Sequence, residues 1–201
     1  LALALPATVA LLAIPTPIVS VLFARGAFSA EDAAATALAA AVYGAGLPAF
    51  MLSKVIQPLF FAREDTRTPF RMALWGMLAN ALLALGLSPI LGFAACALAT
   101  SLSAVIVLAL LWREALRRYG DEARLDPALR ARLPRMAAAS LLMGAVCLAV
   151  EALLGDLLTA PFWRYPALAA LIVAGLASYA AAAVALGAVR PADLKAALRR
   201  G

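Results

Sequence analysis

The stretch Phe60-Phe61-Ala62-Arg63-Glu64-Asp65-Thr66-Arg67-Thr68-Pro69 is a short charged segment between two long apolar ones. The apolar segments cover about residues 32–62 and 69–87, and each is long enough to cross a bilayer as a helix. Pro69 has no backbone N–H and a φ fixed near the helical value, so it suits the first turn of the second helix. We expect the Thr68 hydroxyl to cap that helix.

The charge of this junction predicts its side of the membrane. Arg63, Arg67 and Arg71 lie within nine residues of one another, and a concentration of arginine marks the cytoplasmic end of a span. Most of the 17 Lys and Arg residues lie in connections on this same side. The pattern therefore predicts a multi-pass protein of the cytoplasmic membrane with both ends of this chain in the cytoplasm.

Composition predicts the fold class. The chain has 201 residues, of which 66% are hydrophobic, and a mean hydropathy of +0.96, whereas soluble domains are about 45–50% apolar. Alanine and leucine favour helices, and no strict apolar–polar alternation suggests a β-barrel. We predict an all-α polytopic membrane helix bundle. Its six spans are expected at about residues 1–23, 33–62, 69–87, 93–112, 136–154 and 166–189.

Local signals predict where these spans bend and end. Prolines 6, 15 and 17 should kink or break the first span, and Gly44, Gly46 and Pro48 should bend the second. Ser29 and Asp32 form the pattern of a helix N-cap. We expect a tight turn at residues 88–92, a polar loop at 113–135 with seven arginines, and a short basic tail after Arg190.

Several classes of function lack support in the sequence. The chain has no histidine, and Cys96 and Cys147 lie in separate apolar runs, so we predict no metal site and no cofactor. No nucleophile lies near a base, which argues against an enzyme. The net charge of +6 reflects arginines at helix ends, so we expect no nucleic-acid partner.

Polar residues at membrane depth are the candidates for function because they are costly there. Lys54 and Gln57 share a face of the second span, together with Phe50 and Phe61, and either line a water-filled cavity or, for Lys54, reach the interface. Asn80 in the third span and Thr100 in the fourth, beside Ser101 and Ser103, either bond between helices or contact a ligand or ion.

The junction itself supplies further candidates. Arg63 and Arg67, beside Glu64 and Asp65, can form ion pairs that lock one conformation. The alternative is that they only set topology in the headgroup region, where single pairs contribute little.

Two stretches resemble the MurJ (MviN) family, the lipid II flippases of bacterial cell-wall synthesis. Residues 22–36 are similar to the family's "RGxF" turn, here Arg25, Gly26 and Phe28, followed by an acidic residue and Thr. Residues 54–69 are similar to "KVLxPxFYAxxDTRTP", with Phe61 where the family usually has tyrosine. The order and separation of the two motifs match the family.

The resemblance implies helices nine to fourteen of a fourteen-helix transporter of the MOP superfamily. Residues 1–115 would complete its second lobe, 116–135 would be a cytoplasmic basic loop, and 136–201 an extra helix pair beside a groove for a polyprenyl tail. The substrate would be lipid II, an undecaprenyl-diphosphate-linked disaccharide pentapeptide. Membrane lipids and cell-wall synthesis proteins would be partners. The family's arginine-lined cavity would lie mostly upstream, so the chain should be part of a longer protein.

Two alternatives stay open at this point. Another exporter of the superfamily, for an O-antigen-type lipid-linked oligosaccharide or for drugs, would differ in the upstream helices. A membrane scaffold for cell-wall enzymes would use the arginine-rich segment 113–135 for docking and would tolerate neutralisation of Lys54, Gln57 and Asn80.

Overall fold

A computed structural model describes residues 1–160 and 162–188, and within these residues every regular element is helical. A 3₁₀ turn at Gly120–Ala123 follows the fifth helix. The α-helices are α1 (Ala4–Ala13), α2 (Pro15–Phe23), α3 (Ala30–Phe61), α4 (Arg67–Leu91), α5 (Ala94–Tyr119), α6 (Pro127–Thr159) and α7 (Arg164–Ala185).

The apolar content of these helices confirms the membrane fold class. Five of them, α3 to α7, are long and apolar enough to cross a bilayer, and α1 with α2 makes a sixth span if the bent pair counts as one. The expected break in the first span is at Ile14, where the helix axis turns by 78°. Pro15 and Pro17 cause it because neither can donate the N–H that would continue α1.

Two predicted connections are wrong because helices extend into them. The turn expected at residues 88–92 is the last turn of α4, which ends at Leu91. Pro89 is tolerated there because the Ser88 hydroxyl donates to the Leu85 carbonyl (3.2 Å), which a residue at position 89 would normally satisfy.

The polar segment 113–135 is also mostly helical rather than a loop. Helix α5 continues to Tyr119, and α6 begins at Pro127, where the Asp126 carboxylate accepts from the Ala128 N–H (2.8 Å) as an N-cap. An ion pair between Glu114 and Arg118, one turn apart, supports the end of α5. The predicted end of the last span at Val189 and the basic tail lie outside the described residues.

The chain divides into two compact units. The first, residues 38–125, contains most of α3 with α4 and α5, around a core of Ile56, Phe60, Leu111 and Ala115. We call it the α3–α5 unit.

The second unit combines residues 2–37 with the segment from residue 126 onward, and we call it the α6–α7 unit. Its apolar core contains Ile14, Met143, Cys147, Leu168 and Leu171. Helix α1 packs against α6 here, and the small residues Gly144 and Gly175 permit close approach: Gly144 lies against Val9, and Gly175 against Cys147.

Candidate functional site

A cleft of about 490 Å³ opens in the α3–α5 unit and brings four of the predicted site residues together. Its polar lining comes from three helices. The residues are Ser53, Lys54 and Gln57 of α3, Asn80 of α4, and Thr100 and Ser103 of α5. Apolar side chains such as Phe50, Met77 and Val107 complete the walls.

The α3 wall follows from helical periodicity. Phe50, Lys54 and Gln57 recur at spacings of four and three, so their side chains share one face, as predicted. Phe61, which we expected on the same face, does not line the cleft and is half exposed. Lys54 is exposed and forms no ion pair with any described residue, so it gives the cleft a free positive charge.

Hydrogen bonds join the α4 and α5 walls. The Asn80 side-chain amide donates to the Thr100 hydroxyl (3.1 Å) and to the Ser103 hydroxyl (3.3 Å). Both hydroxyls in turn donate to carbonyls of their own helix, those of Cys96 and Thr100. Asn80 therefore bridges the two helices through residues at the surface of the cleft, which is the interhelical bonding that the sequence offered as one alternative.

Ser101 faces a different helix from its neighbours. Its hydroxyl donates to the Val42 carbonyl of α3 (2.7 Å). Gly46 makes this approach possible, since a Cβ there would lie 2.8 Å from the Ser101 oxygen and 3.0 Å from its Cα. Helices α3 and α5 are thus in backbone contact at one level, although the cleft opens farther along the same helices.

Charged residues beyond the cleft connect the α3–α4 junction to the end of α5. Arg63 pairs with Glu122, and Asp65 pairs with Arg118 (2.8 Å). The Arg63 guanidinium also stacks over the Tyr119 ring, 4.3 Å from its centre. We call these five residues the clasp. Arg63 and Asp65 therefore form ion pairs, as predicted, but their partners lie on α5 and the 3₁₀ turn rather than within the junction.

Asp65 has two roles in the clasp. Besides pairing with Arg118, its carboxylate accepts from the Thr68 N–H (3.0 Å) at the start of α4. Hydrogen bonds from Thr68 hold the pKa of Asp65 below its usual value, and the positive charge of Arg118 adds to this effect. The predicted cap by Thr68 is wrong, because Thr68 lies inside the first turn and Asp65 supplies the capping oxygen.

The remaining predicted residues are outside both features. Arg67 is exposed and pairs with no described carboxylate. Arg25, Gly26 and Phe28 form a tight turn between α2 and α3, where Gly26 has φ +64°, a conformation that favours glycine. This turn belongs to the α6–α7 unit, and the predicted capping box follows it, with reciprocal bonds between Ser29 and Asp32.

Sequence reasoning missed several members of these groups. Ser53 lines the cleft but was not singled out, and Arg118, Tyr119 and Glu122 were read only as part of a loop. The spacing of Glu114 and Arg118 was the one available signal that a helix continues there. Among the described residues, no three His, Cys, Asp or Glu side chains are grouped to hold a metal ion.

Comparison with known proteins adds independent information. The family model described as "Lipid II flippase MurJ" matches residues 1–174. The "Probable lipid II flippase MurJ" of Rhizobium meliloti (strain 1021) is 39% identical over 209 residues, which cover 99% of this chain and 37% of the relative. The protein of the same name from Vibrio cholerae is 35% identical, over 97% of this chain and 37% of the relative.

A solved structure has a similar fold. The structure titled "Lipid II flippase MurJ, inward closed conformation" aligns with 90% of this chain and 35% of its own, with a TM-score of 0.69 and 24% identity. The chain spans just over a third of the length of the two curated relatives described above.

Proposed function

The chain belongs to the lipid II flippase MurJ family, and we propose that it is the C-terminal part of a transporter that moves lipid II across the bacterial cytoplasmic membrane. The substrate would be the undecaprenyl-diphosphate-linked precursor of peptidoglycan, carried from the inner to the outer leaflet by alternating access. The protein would act as a transporter and not as an enzyme.

The family match over residues 1–174 carries this proposal. It is supported by the polar cleft, since a cleft with a free lysine and several hydroxyls is unusual in an apolar helix bundle and expensive to maintain at membrane depth. A drug exporter or an exporter of another lipid-linked sugar would suit the fold equally well, but the named relatives are lipid II flippases.

The physical problem in such transport is the headgroup. A charged diphosphate cannot enter hydrocarbon without losing its hydration, which is prohibitively unfavourable, so it needs a polar path while the lipid tail stays in the membrane. We propose that Lys54, Gln57, Asn80 and Thr100 line part of that path. Lys54 would attract the anionic group, and the hydroxyls and amides would replace water around the sugars.

The clasp would stabilise one of the two arrangements that alternating access requires. It joins residues separated by more than fifty positions, and each of its pairs is partly exposed, so it can open at small energetic cost. We propose that it closes when the transporter is shut to the cytoplasm.

The proposal also assigns each segment of the chain to a side of the membrane and to a part of the transporter. Both ends of the chain would lie in the cytoplasm, residues 1–115 would complete the second lobe, and residues 136–201 would form the extra helix pair. The arginine-rich segment 116–135 would face the cytoplasm, where cell-wall synthesis proteins can dock.

Complementation in a bacterium depleted of its own lipid II flippase tests the transport role. The full-length gene carrying Lys54→Met should fail to restore growth, because methionine keeps the length of the side chain and removes the charge. Arg124→Gln is the matched control, since it also removes one cation but from an exposed pair with Asp121 outside the cleft. Membrane levels of both variants are measured by immunoblot.

Normal growth with Lys54→Met at normal protein levels would contradict a transport role for the cleft. If Gln57→Leu and Asn80→Leu also supported growth, the polar path would have no part in transport. If the unsubstituted full-length gene were present in the membrane and failed to support growth, the scaffold alternative would replace transport.

A further inference from the structure

One face of α4, which has no part in the cleft described above, carries a row of exposed residues. Arg67, Arg71, Trp75, Leu78 and Leu82 follow one another at spacings of three and four, so they form a single row along the helix. Trp75 is 55% exposed and Leu82 62%. We call this row the α4 stripe.

Two depressions lie on either side of the stripe. The first, about 330 Å³, is bounded by Arg71, Leu74, Trp75 and Leu78. The second, about 370 Å³, runs between α4 and α5 and is bounded by Trp75, Leu78 and Leu82 with Ile106 and Leu110 of α5. Trp75 and Leu78 border both depressions and therefore form the ridge between them. Apart from Arg71, the residues of both are apolar.

The length of the stripe matches one leaflet of a membrane. From Arg71 to Leu82 the helix rises about 16 Å at 1.5 Å per residue. Half of the hydrocarbon core is about 15 Å. The second depression thus reaches the depth at which the acyl chains of one leaflet stop. The first begins at the charged end and extends to Leu78, about 10 Å along the helix. Tryptophan near the charged end is typical of the membrane–water interface.

Positive charge without a protein partner collects at that end. Arg67 and Arg71 form no ion pair with any described carboxylate, whereas Arg63 and Arg118 in the nearby clasp are both paired. The N-terminus of α4 adds a partial positive charge.

A third cation lies at the same level on α5. Gly76 packs against Val107, and Asn80 bonds to Ser103, so the two helices run antiparallel with residue 71 level with residue 112. Arg113 follows directly and is exposed, with no ion pair to the described residues. Exposed arginines at one level of two neighbouring helices suit a phosphate, which accepts several charge-assisted hydrogen bonds.

We propose that the α4 stripe binds an anionic diacyl phospholipid. Its phosphate would contact Arg67, Arg71 and Arg113, and its two acyl chains would lie on either side of Trp75. A helix from another part of the full-length protein is the competing occupant. Such a helix would bury Arg71 without a counter-charge unless it brought its own carboxylate, and that burial is strongly unfavourable. The proposal does not depend on transport.

Native mass spectrometry of the delipidated full-length protein, titrated with phosphatidylglycerol, measures the binding directly. Arg67→Gln with Arg71→Gln should weaken it about tenfold or more, as expected for the loss of charge-assisted hydrogen bonds. Phosphatidylcholine carries the same phosphate, but its choline cation offsets the charge, so it should bind the wild type more weakly and lose less affinity on this substitution. The control is Arg124→Gln with Arg130→Gln, which removes the same charge from exposed positions off the stripe and should leave the phosphatidylglycerol affinity near that of the wild type.

A second measurement locates the lipid without depending on the arginine variants. In nanodiscs, phosphatidylglycerol with brominated acyl chains should quench Trp75, seen as the difference in fluorescence between the wild type and Trp75→Phe. Three results would each overturn the proposal. The first is an equal loss of affinity in the control pair. The second is the absence of Trp75 quenching, which indicates that a helix covers it. The third is relief of the quenching by a polyprenyl diphosphate, which assigns the stripe to that lipid instead.

Discussion

Both units have an apolar core, but the hydrogen bonds that join their elements lie at different places. In the α3–α5 unit, α4 and α5 are bridged by Asn80, and α3 meets α5 through the Ser101–Val42 bond. In the α6–α7 unit, the side chains of Arg164 and Tyr179 donate to the carbonyls of Ala24 and Ala2, which lie just outside the ends of α2 and α1. Directional polar bonds have a few preferred geometries, and close-packed apolar cores likewise resist continuous deformation. We therefore expect the bonds between the spans of the α3–α5 unit to be the contacts that differ between discrete arrangements.

The largest expected effect is on stability, and it compares how closely helices approach one another within each unit. Gly46→Ala would place a Cβ 3.0 Å from the Ser101 Cα, and because a backbone atom cannot turn aside, the helices must separate and lose the Ser101–Val42 bond. We expect the full-length protein to lose about 1–3 kcal/mol of stability. Thermal unfolding in detergent measures it.

Two comparisons make this prediction specific. Gly175→Ala meets the Cys147 sulfur (2.8 Å) and the Met143 Cγ (4.0 Å), both side-chain atoms that can shift, so its loss of stability should be clearly smaller. Gly86→Ala meets nothing within 4 Å and should raise stability slightly, because alanine favours a helix. If Gly46→Ala and Gly86→Ala had equal midpoint temperatures of unfolding, α3 and α5 would have room for a methyl group at their point of contact.

The second effect is intermediate and concerns the polar bridge. Asn80→Leu removes both hydrogen bonds between α4 and α5, and such bonds in membranes contribute on average about 0.6 kcal/mol each. We expect the free energy of unfolding to fall by about 1 kcal/mol. Steric trapping or unfolding in mixed micelles measures this loss. The matched change in the other unit, Ser140→Ala, removes only a hydroxyl bond to a carbonyl of its own helix.

Ser140→Ala should therefore leave stability nearly unchanged. A larger loss for Ser140→Ala than for Asn80→Leu would reverse the proposed contrast, because it would place the important polar contact in the α6–α7 unit.

These contacts also define what the sequence could predict. Helical periodicity placed Lys54 and Gln57 on one wall, because spacing along a helix is a local property. The break at Ile14 was predictable for the same reason, since Pro15 and Pro17 act on the turn next to them.

The sequence did not predict contacts between distant residues or side-chain bonds that replace a missing backbone bond. Asp65 and Arg118 are 53 positions apart, so no pattern near the junction revealed the pair. The predicted turn at Pro89 was wrong because the Ser88 hydroxyl satisfies the Leu85 carbonyl, a side-chain bond that residue type alone does not specify.

The smallest expected effect is a pH-dependent one in the clasp. The pKa of Asp65 is below its usual value of 3.8 in the folded protein, mainly through hydrogen bonds from Thr68 and further through Arg118. A lowered carboxyl pKa contributes stability that is fully present above pH 3.8 and is lost as pH falls through the folded value. The midpoint temperature of Asp65→Asn should thus lie below that of the wild type at pH 5–7, and the two should converge below pH 3.8.

The partner variant distinguishes the two contacts of Asp65. Arg118→Gln removes the ion pair and leaves the charged Thr68 bond, which Asp65→Asn weakens to a neutral one, so it should reproduce only a part of the Asp65→Asn effect. Arg124→Gln, which breaks an exposed pair within one turn, should have no measurable pH-dependent effect. If Arg118→Gln lowered the midpoint as far as Asp65→Asn, the ion pair rather than the helix cap would hold α4 in place. The junction would then be fastened chiefly from α5, which is the arrangement that a switch opening at the clasp requires.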